Sequence, residues 1–297
     1  MVLTSKRFMK TILNLFIAFC MIFMVNCSSN DSDEPNGPEK LAFKKTTNVS
    51  YGPDTDQVYD IYLPEGRTSE TKVMILVHGG GWSSGDKSSM NYLVDLYRND
   101  FPNLALVNMN YRLSDQNNPP YPMQTDDITS VINDLKAKKT DYVISEDYGF
   151  LGASAGGHLS LLWSYAFDTD NDVNMVCSIV GPTNFLDPAY TDNTDPLLQE
   201  LLNAYGLNPT TEYLREASPL YQVTSAAPPT ILFYGGQDPL VPASQGTAMR
   251  DKLIELNVTQ EFTLYPEAGH GWGASVAEIP LLLDTWAKIK AFTTAHL

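Results

Sequence analysis

The chain predicts an α/β fold: one mostly parallel sheet with helices on both faces. Three observations carry this. Apolar runs without alternation, VMILVH, LALVNMN, MVCSIVG and TILFYGG among them, recur along the chain, as expected of strands buried on both faces. Between them stand stretches with apolar residues at helical spacing. The 297 residues, 43% of them hydrophobic, are enough for one large domain with a buried core.

The elements follow in order. KKTTNVSYG and QVYDIYLP alternate and read as an antiparallel pair joined through Gly52 and Pro53. VMILVH is the first buried strand, followed by a helix with Met90, Leu93, Val94 and Tyr97 on one face. LALVNMN and a helix carrying Ile128, Val131, Ile132 and Leu135 repeat the unit. GFLG, a helix from about Ser154, MVCSIVG, TILFYGG, a helix with Met249, Leu253 and Leu256, EFTLYP, and a last helix with Leu282, Trp286 and Ile289 complete it. Residues 183–228 break the rhythm with TDNTDPLLQELLNAYG between two proline-containing loops. This insertion reads as a short cap or as a long connection, and its length in a compact domain favours the cap.

The first residues do not belong to that domain. Lys6, Arg7 and Lys10 precede an apolar stretch from Thr11 to Val25 that is too short to span a bilayer comfortably, so residues 1–26 read as a signal peptide. The charged start, the apolar run, MVNC and the polar tail SSNDSDEPNGPEK resemble a bacterial lipoprotein signal. That resemblance implies lipidation of Cys27 and, because Ser28 is not aspartate, an outer-membrane or cell-surface address; a secretory signal cleaved nearby is the alternative. Residues 27–40 then form a flexible polar tether. Its thirteen residues after the cysteine reach about 20 Å, which would hold the domain, residues 41–297, close to its membrane.

The formal net charge is −16, from 19 basic and 35 acidic residues. Such an excess argues against nucleic acid, anionic headgroups and polyanionic substrates. Cys20 and Cys27 lie in the leader, leaving Cys177 alone in the domain, so no internal disulfide is possible. Cys177 sits in an apolar run and reads as a small core residue. DTDNDVN imitates the start of a calcium loop, but Val173 and Ile179 stand where glycine and glutamate are needed, and no metal site is read there.

GASAGGH, residues 152–158, places Ser154 between glycines at the join of a strand and a helix. Small residues there let a helix approach a sheet closely, and they also allow the strained turn that presents a nucleophilic serine. A nucleophile needs a base, a group orienting the base, and donors for an oxyanion. Of four histidines, His296 is terminal, His158 lies a turn into the helix and His78 closes a strand. His270, between Gly269 and Gly271 after a predicted strand, has the suitable setting. For the acid, Asp238 follows the buried run TILFYGG, with Asp187 and Glu267 as rivals; the order Ser, Asp, His favours Asp238. HGGGW, residues 78–82, offers backbone N–H groups that can converge on one point. It lacks the lysine and serine spacing of a phosphate-binding loop.

HGGGW, NYRLS, GASAG, GPTNF, SPLYQV and AGHGW together, in order and spacing, resemble the α/β-hydrolase superfamily over about residues 46–295. They are most similar to the hormone-sensitive-lipase-like esterases and the bacterial feruloyl and acetyl-xylan esterase group. The resemblance implies an α/β-hydrolase fold, with Ser154 as nucleophile, His270 as base and Asp238 as its partner. Gly80, Gly81 and the backbone of Ala155 would form the oxyanion hole, with Gly79 a substitute, and neither metal nor organic cofactor would be needed. Trp82, Tyr111 and Trp272 lie beside the motifs as candidate contacts for a sugar or aromatic acyl group, packing being the alternative. The implied function is a serine esterase acting on acetyl or feruloyl esters of plant polysaccharide. HGGGW also matches kynurenine formamidases, so a formamidase-like or general small-molecule esterase is an alternative. A non-catalytic carbohydrate-binding surface lipoprotein is the alternative of another class.

Overall fold

A computed structural model of the chain describes residues 40–204, 209–273 and 275–297. The expected signal peptide, Cys27 and the expected tether as far as residue 39 lie outside the described residues.

Strands β1 (Lys44–Ser50) and β2 (Val58–Leu63) form the expected antiparallel pair. Their register shifts between Thr46 and Val49, where Asn48 adopts φ 52° and donates its N–H to Asp60 Oδ1. Asparagine tolerates that left-handed backbone better than most residues. β3 (Val73–Val77) is buried at every position and leads through a 3₁₀ turn into helix α1 (Asn91–Asp100). Then come β4 (Ala105–Met109), α2 (Pro120–Tyr142), β5 (Tyr148–Ala153), α3 (Ala155–Ala166) and β6 (Val173–Ile179). Among the described residues the insertion holds four short helices, α4 (Pro188–Thr191), α5 (Pro196–Asn203), α6 (Thr211–Glu216) and α7 (Pro219–Gln222). β7 (Thr230–Gly235), α8 (Ala243–Glu255), β8 (Gln260–Tyr265) and α9 (Ile279–His296) close the chain.

The eight strands run in the order β1-β2-β4-β3-β5-β6-β7-β8. β2 pairs antiparallel with β4, and every pair from β4 to β8 is parallel. Strand periodicity divides the core in two. Val73, Ile75, Val77, Phe150, Val176 and Leu232 point to the face covered by α2, α3 and α8. Met74, Leu76, Leu151, Cys177, Ile231 and Phe233 point to the face covered by α1 and α9. Cys177 is wholly buried there, and burial pushes its thiol pKa up, out of the reactive range.

The insertion is anchored rather than loose. Gln245 at the start of α8 accepts the N–H groups of Thr183 and Asn184 through Oε1, at 2.8 and 2.7 Å. Phe185, Tyr190 and Ala217 sink into the core under α3. In the segment that imitates a calcium loop, Asp168 accepts the N–H groups of Asp172 and Val173, and Lys136 Nζ lies 2.6 Å from Asp170 and 2.5 Å from Asp172. A lysine therefore supplies the local positive charge.

Candidate active site

The strand-to-helix join is built by contact distances. Ser154 stands between the last residue of β5 and the first of α3, at φ 53° and ψ −121°. A non-glycine residue held there stores roughly 1–3 kcal/mol of strain. Two hydrogen bonds hold it: Ser154 N–H donates to Ile179 O at 2.8 Å, and its carbonyl accepts from His158 N–H at 3.0 Å. The flanking glycines have no alternative. A Cβ on Gly152 would run into the carbonyl of Gly156, and one on Gly156 into the carbonyls of Val77 and His78. Both readings of the motif thus hold together, since close packing is what forces the strained serine at the join.

The other two groups arrive on loops after β7 and β8. Gly236 N–H donates to Tyr265 O at 2.8 Å and Gln237 N–H to Ala268 O at 2.9 Å, which joins the two loops backbone to backbone. Asp238 follows at once. Its Oδ1 accepts the N–H groups of Leu240 and Val241 at 2.8 and 2.9 Å, and its side chain is fully buried. Oδ2 lies 2.7 Å from His270 Nδ1, and His270 Nε2 lies 2.9 Å from Ser154 Oγ. A carboxylate accepts only, so Nδ1 carries the proton and Nε2 faces the serine hydroxyl with its lone pair. Gly271, at φ 98°, turns the chain to present the ring.

The rivals for the acid are engaged elsewhere. Asp187 caps α4 through the Ala189 N–H and accepts from Ser244 Oγ and Gln245 Nε2. Glu267 accepts from Gln237 Nε2 at the surface.

HGGGW follows β3 as a loop with three successive positive φ values, 127° at Gly80, 55° at Gly81 and 62° at Trp82. A Cβ on Gly79 would lie 3.2 Å from Ser154 Cβ, so the loop runs directly beside the serine. Among the described residues, no protein acceptor takes the N–H groups of Gly80, Gly81 or Ala155. Ala155 opens α3, where such N–H groups have no intrahelical partner. The loop is braced from behind. His78 Nδ1 donates to Gly79 O at 2.7 Å, and the ring stacks on Tyr111 at 4.2 Å. Ser84 binds Gly80 O through both its N–H and its hydroxyl.

Two expected substrate contacts are corrected by these contacts. Tyr111 is fully buried and donates its hydroxyl to His78 O. Trp82 is fully buried and donates Nε1–H to His158 Nδ1 at 3.1 Å. Both aromatic residues support the glycine loop from the core side and present no face to a ligand. Trp272, the third, does line a cavity with Ser154 and His270.

His158, set aside in the sequence as a helix residue, joins three parts of the site. It accepts from Trp82 in the glycine loop, sits on α3, and donates Nε2–H to Ala217 O of the insertion at 2.7 Å. Complete burial lowers its pKa to about 4, so it is neutral at pH 7. Burial lowers His78 as well. Arg112, within NYRLS, pairs with the buried Asp127 through Nε and Nη2, and Gln124 donates to the carbonyls of Arg112 and Trp82. The sequence reading missed this second brace, because a lone Arg and an Asp fifteen residues apart carry no local signal.

The chain is similar to known proteins over most of its length. The chain is 26% identical over 242 residues to Esterase LipC of Mycobacterium tuberculosis, covering 75% of this chain. It is 25% identical over 264 residues to Esterase LipQ of the same organism, covering 80% of this chain. It spans 59% of the length of each of these relatives. Among solved structures, a truncated form of a carbohydrate esterase from gut microbiota superposes with a TM-score of 0.69 at 20% identity, covering 84% of this chain and 96% of that one. An acetyl ester-xyloside bifunctional hydrolase from Caldicellulosiruptor lactoaceticus gives 0.64 at 20% identity, covering 80% and 88%. An arylesterase gives 0.65 at 20%, covering 85% of each chain. These likenesses establish a fold shared with α/β-hydrolase esterases. Residues 59–253 match the BD-FAE family model, and the chain belongs to the BD-FAE family.

Proposed function

We propose that the protein is a serine carboxylic-ester hydrolase that works through an acyl-enzyme. The observation that carries this is the unbroken line from Asp238 through His270 to Ser154, at 2.7 and 2.9 Å. Ser154 Oγ attacks the ester carbonyl as its proton passes to His270 Nε2. The imidazolium is steadied by Asp238, whose other oxygen is held by two backbone N–H groups and cannot swing away. The oxyanion is received by the N–H groups of Gly80, Gly81 and Ala155, which have no acceptor of their own; each such donor is worth about 2.7–4 kcal/mol. His270 then returns the proton to the leaving alcohol. Water, deprotonated by His270, then attacks the acyl-enzyme carbonyl, and the released Ser154 oxygen takes the proton back as the acid departs.

For the substrate we propose an acetyl or feruloyl ester on plant polysaccharide or its oligosaccharides. The support is family membership and a fold shared with a carbohydrate esterase and an acetyl ester-xyloside hydrolase. Lipidation of Cys27 would hold the enzyme at the membrane surface where such polymers are met; labelling of expressing cells with an alkyne fatty acid, lost in Cys27→Ser, is the result expected. The activity itself is tested by incubating the soluble domain with a fluorophosphonate and locating the adduct by mass spectrometry. A stoichiometric adduct on Ser154, absent in His270→Ala, is expected. A folded protein without adduct and without turnover of simple esters would sink the reading and leave a binding protein on a hydrolase scaffold.

A further inference from the structure

Between α1 and α9 lies a cavity of about 170 Å³ whose wall includes both Ser154 and His270. Leu96 of α1 and Leu282 and Ile289 of α9 supply its apolar sides, with the ends of β5 and β6 behind the serine. Among the described residues, none from the insertion lines it. The indole groups at the wall have spent their polar atoms: Trp272 Nε1 donates to Thr285 Oγ1 and Trp286 Nε1 to Asp100, each at 2.8 Å. Of the other polar side chains that line it, the Thr285 hydroxyl is engaged with Trp272 Nε1 and Leu281 O, which leaves the Tyr92 hydroxyl beside the nucleophile and its base.

A second observation marks the same wall. Val180 holds φ 48°, a conformation that β-branched residues rarely adopt. It is kept there by the hydrogen bond from its N–H to Phe233 O and by Gly181, where a Cβ would strike His158 N and Ser178 Oγ. Strain of this kind survives where it places a side chain at a working site. Val180 is part of the cavity wall, which it shares with the strained serine.

We propose that this cavity receives the acyl half of the ester and restricts it to a short apolar acyl group. The inference rests on the ester-hydrolase reading above. A sugar alcohol in this space would lose the water from its hydroxyls and find almost no partner, at roughly 2–7 kcal/mol per group. An apolar cavity of about 150 Å³ holds one benzene, so a cavity of about 170 Å³ accepts an acyl group of up to about six carbons. Acetyl fits with room to spare. A feruloyl group, a substituted ring on a three-carbon arm, does not, and the site therefore selects acetyl over feruloyl esters.

The test is an acyl-length profile of kcat/KM on p-nitrophenyl acetate, butyrate and octanoate for wild type, Leu96→Trp and Leu96→Ala. Leu96 is half-buried on the cavity side of α1, and Leu282→Trp on α9 serves as an independent filling variant should the first not fold. Filling the cavity should lower the butyrate-to-acetate ratio about tenfold, and Leu96→Ala should raise the octanoate-to-butyrate ratio by about the same factor. Ratios within about twofold of wild type in folded filling and enlarging variants would overturn the assignment while leaving the esterase intact. Failure of the wild type to turn over any of the three esters would overturn the esterase reading and this one with it.

Discussion

His270 Nδ1 lies 2.7 Å from Asp238 Oδ2, and the other oxygen of that buried carboxylate is fixed by the N–H groups of Leu240 and Val241. The acid is therefore locked before the histidine meets it. Asp238→Asn keeps the shape but removes the acceptor that selects the Nδ1–H tautomer, and kcat should fall by about 10⁴. Asp187→Asn should leave kcat nearly unchanged and instead lower Tm, because Asp187 caps α4 and holds Ser244 and Gln245. Steady-state kinetics and thermal unfolding of the two variants separate the roles.

Ser154 is paired with His270 at the cost of its own backbone, at φ 53° and ψ −121°. Glycine adopts that conformation freely, so Ser154→Gly should abolish turnover and raise stability by about 1 kcal/mol, which is about 2–4 °C in Tm for a domain of this size. Ser154→Ala keeps the Cβ and the strain, and it should lose turnover without the gain.

The glycines of the site fall into two kinds, and alanine tells them apart. Gly156→Ala drives a Cβ into the carbonyls of Val77 and His78, so it should fail to fold or lose several kcal/mol. Gly269→Ala meets nothing within 4 Å and should keep its Tm within about 2 °C of wild type. Circular dichroism melts decide both.

The buried His158 makes stability depend on pH. Its folded pKa is about 4, against an unperturbed 6.5, so between these values the unfolded chain holds a proton that the folded chain refuses. Stability is complete above about pH 7 and is lost as pH falls; going from pH 7 to pH 5 should cost about 2 kcal/mol from this residue. In His158→Gln the difference between urea midpoints at pH 7 and pH 5 should shrink accordingly. A difference equal to wild type would mean that acid enters through other groups, His78 first among them, since burial lowers it in the same direction.

Much of the fold and half of the site were legible along the chain. The strands could be read because those at the centre of a parallel sheet are apolar on both faces, so VMILV and TILFYG stand out against their neighbours. Ser154 and His270 could be read because the turns that carry them need glycine at particular positions, which leaves a local mark. Asp238 has a rival in the sequence, since Asp187 also precedes proline after a strand; only the backbone bonds joining the β7 and β8 loops decide which carboxylate reaches the histidine.

What the sequence by itself determined is therefore the set of parts with local signatures: buried strands, the glycine-bounded serine and histidine, and the glycine loop after β3. What only the tertiary structure decided is which aromatic residues lie in the core and which side chains gather around the cavity beside Ser154. Trp82 and Tyr111 stand beside the motifs in sequence yet lie wholly in the core, while Leu96 and Leu282, far apart in the chain, meet at one cavity. The reason is geometric. A strand or turn is specified by neighbours a few residues away, whereas a pocket exists only where separate elements leave space between them.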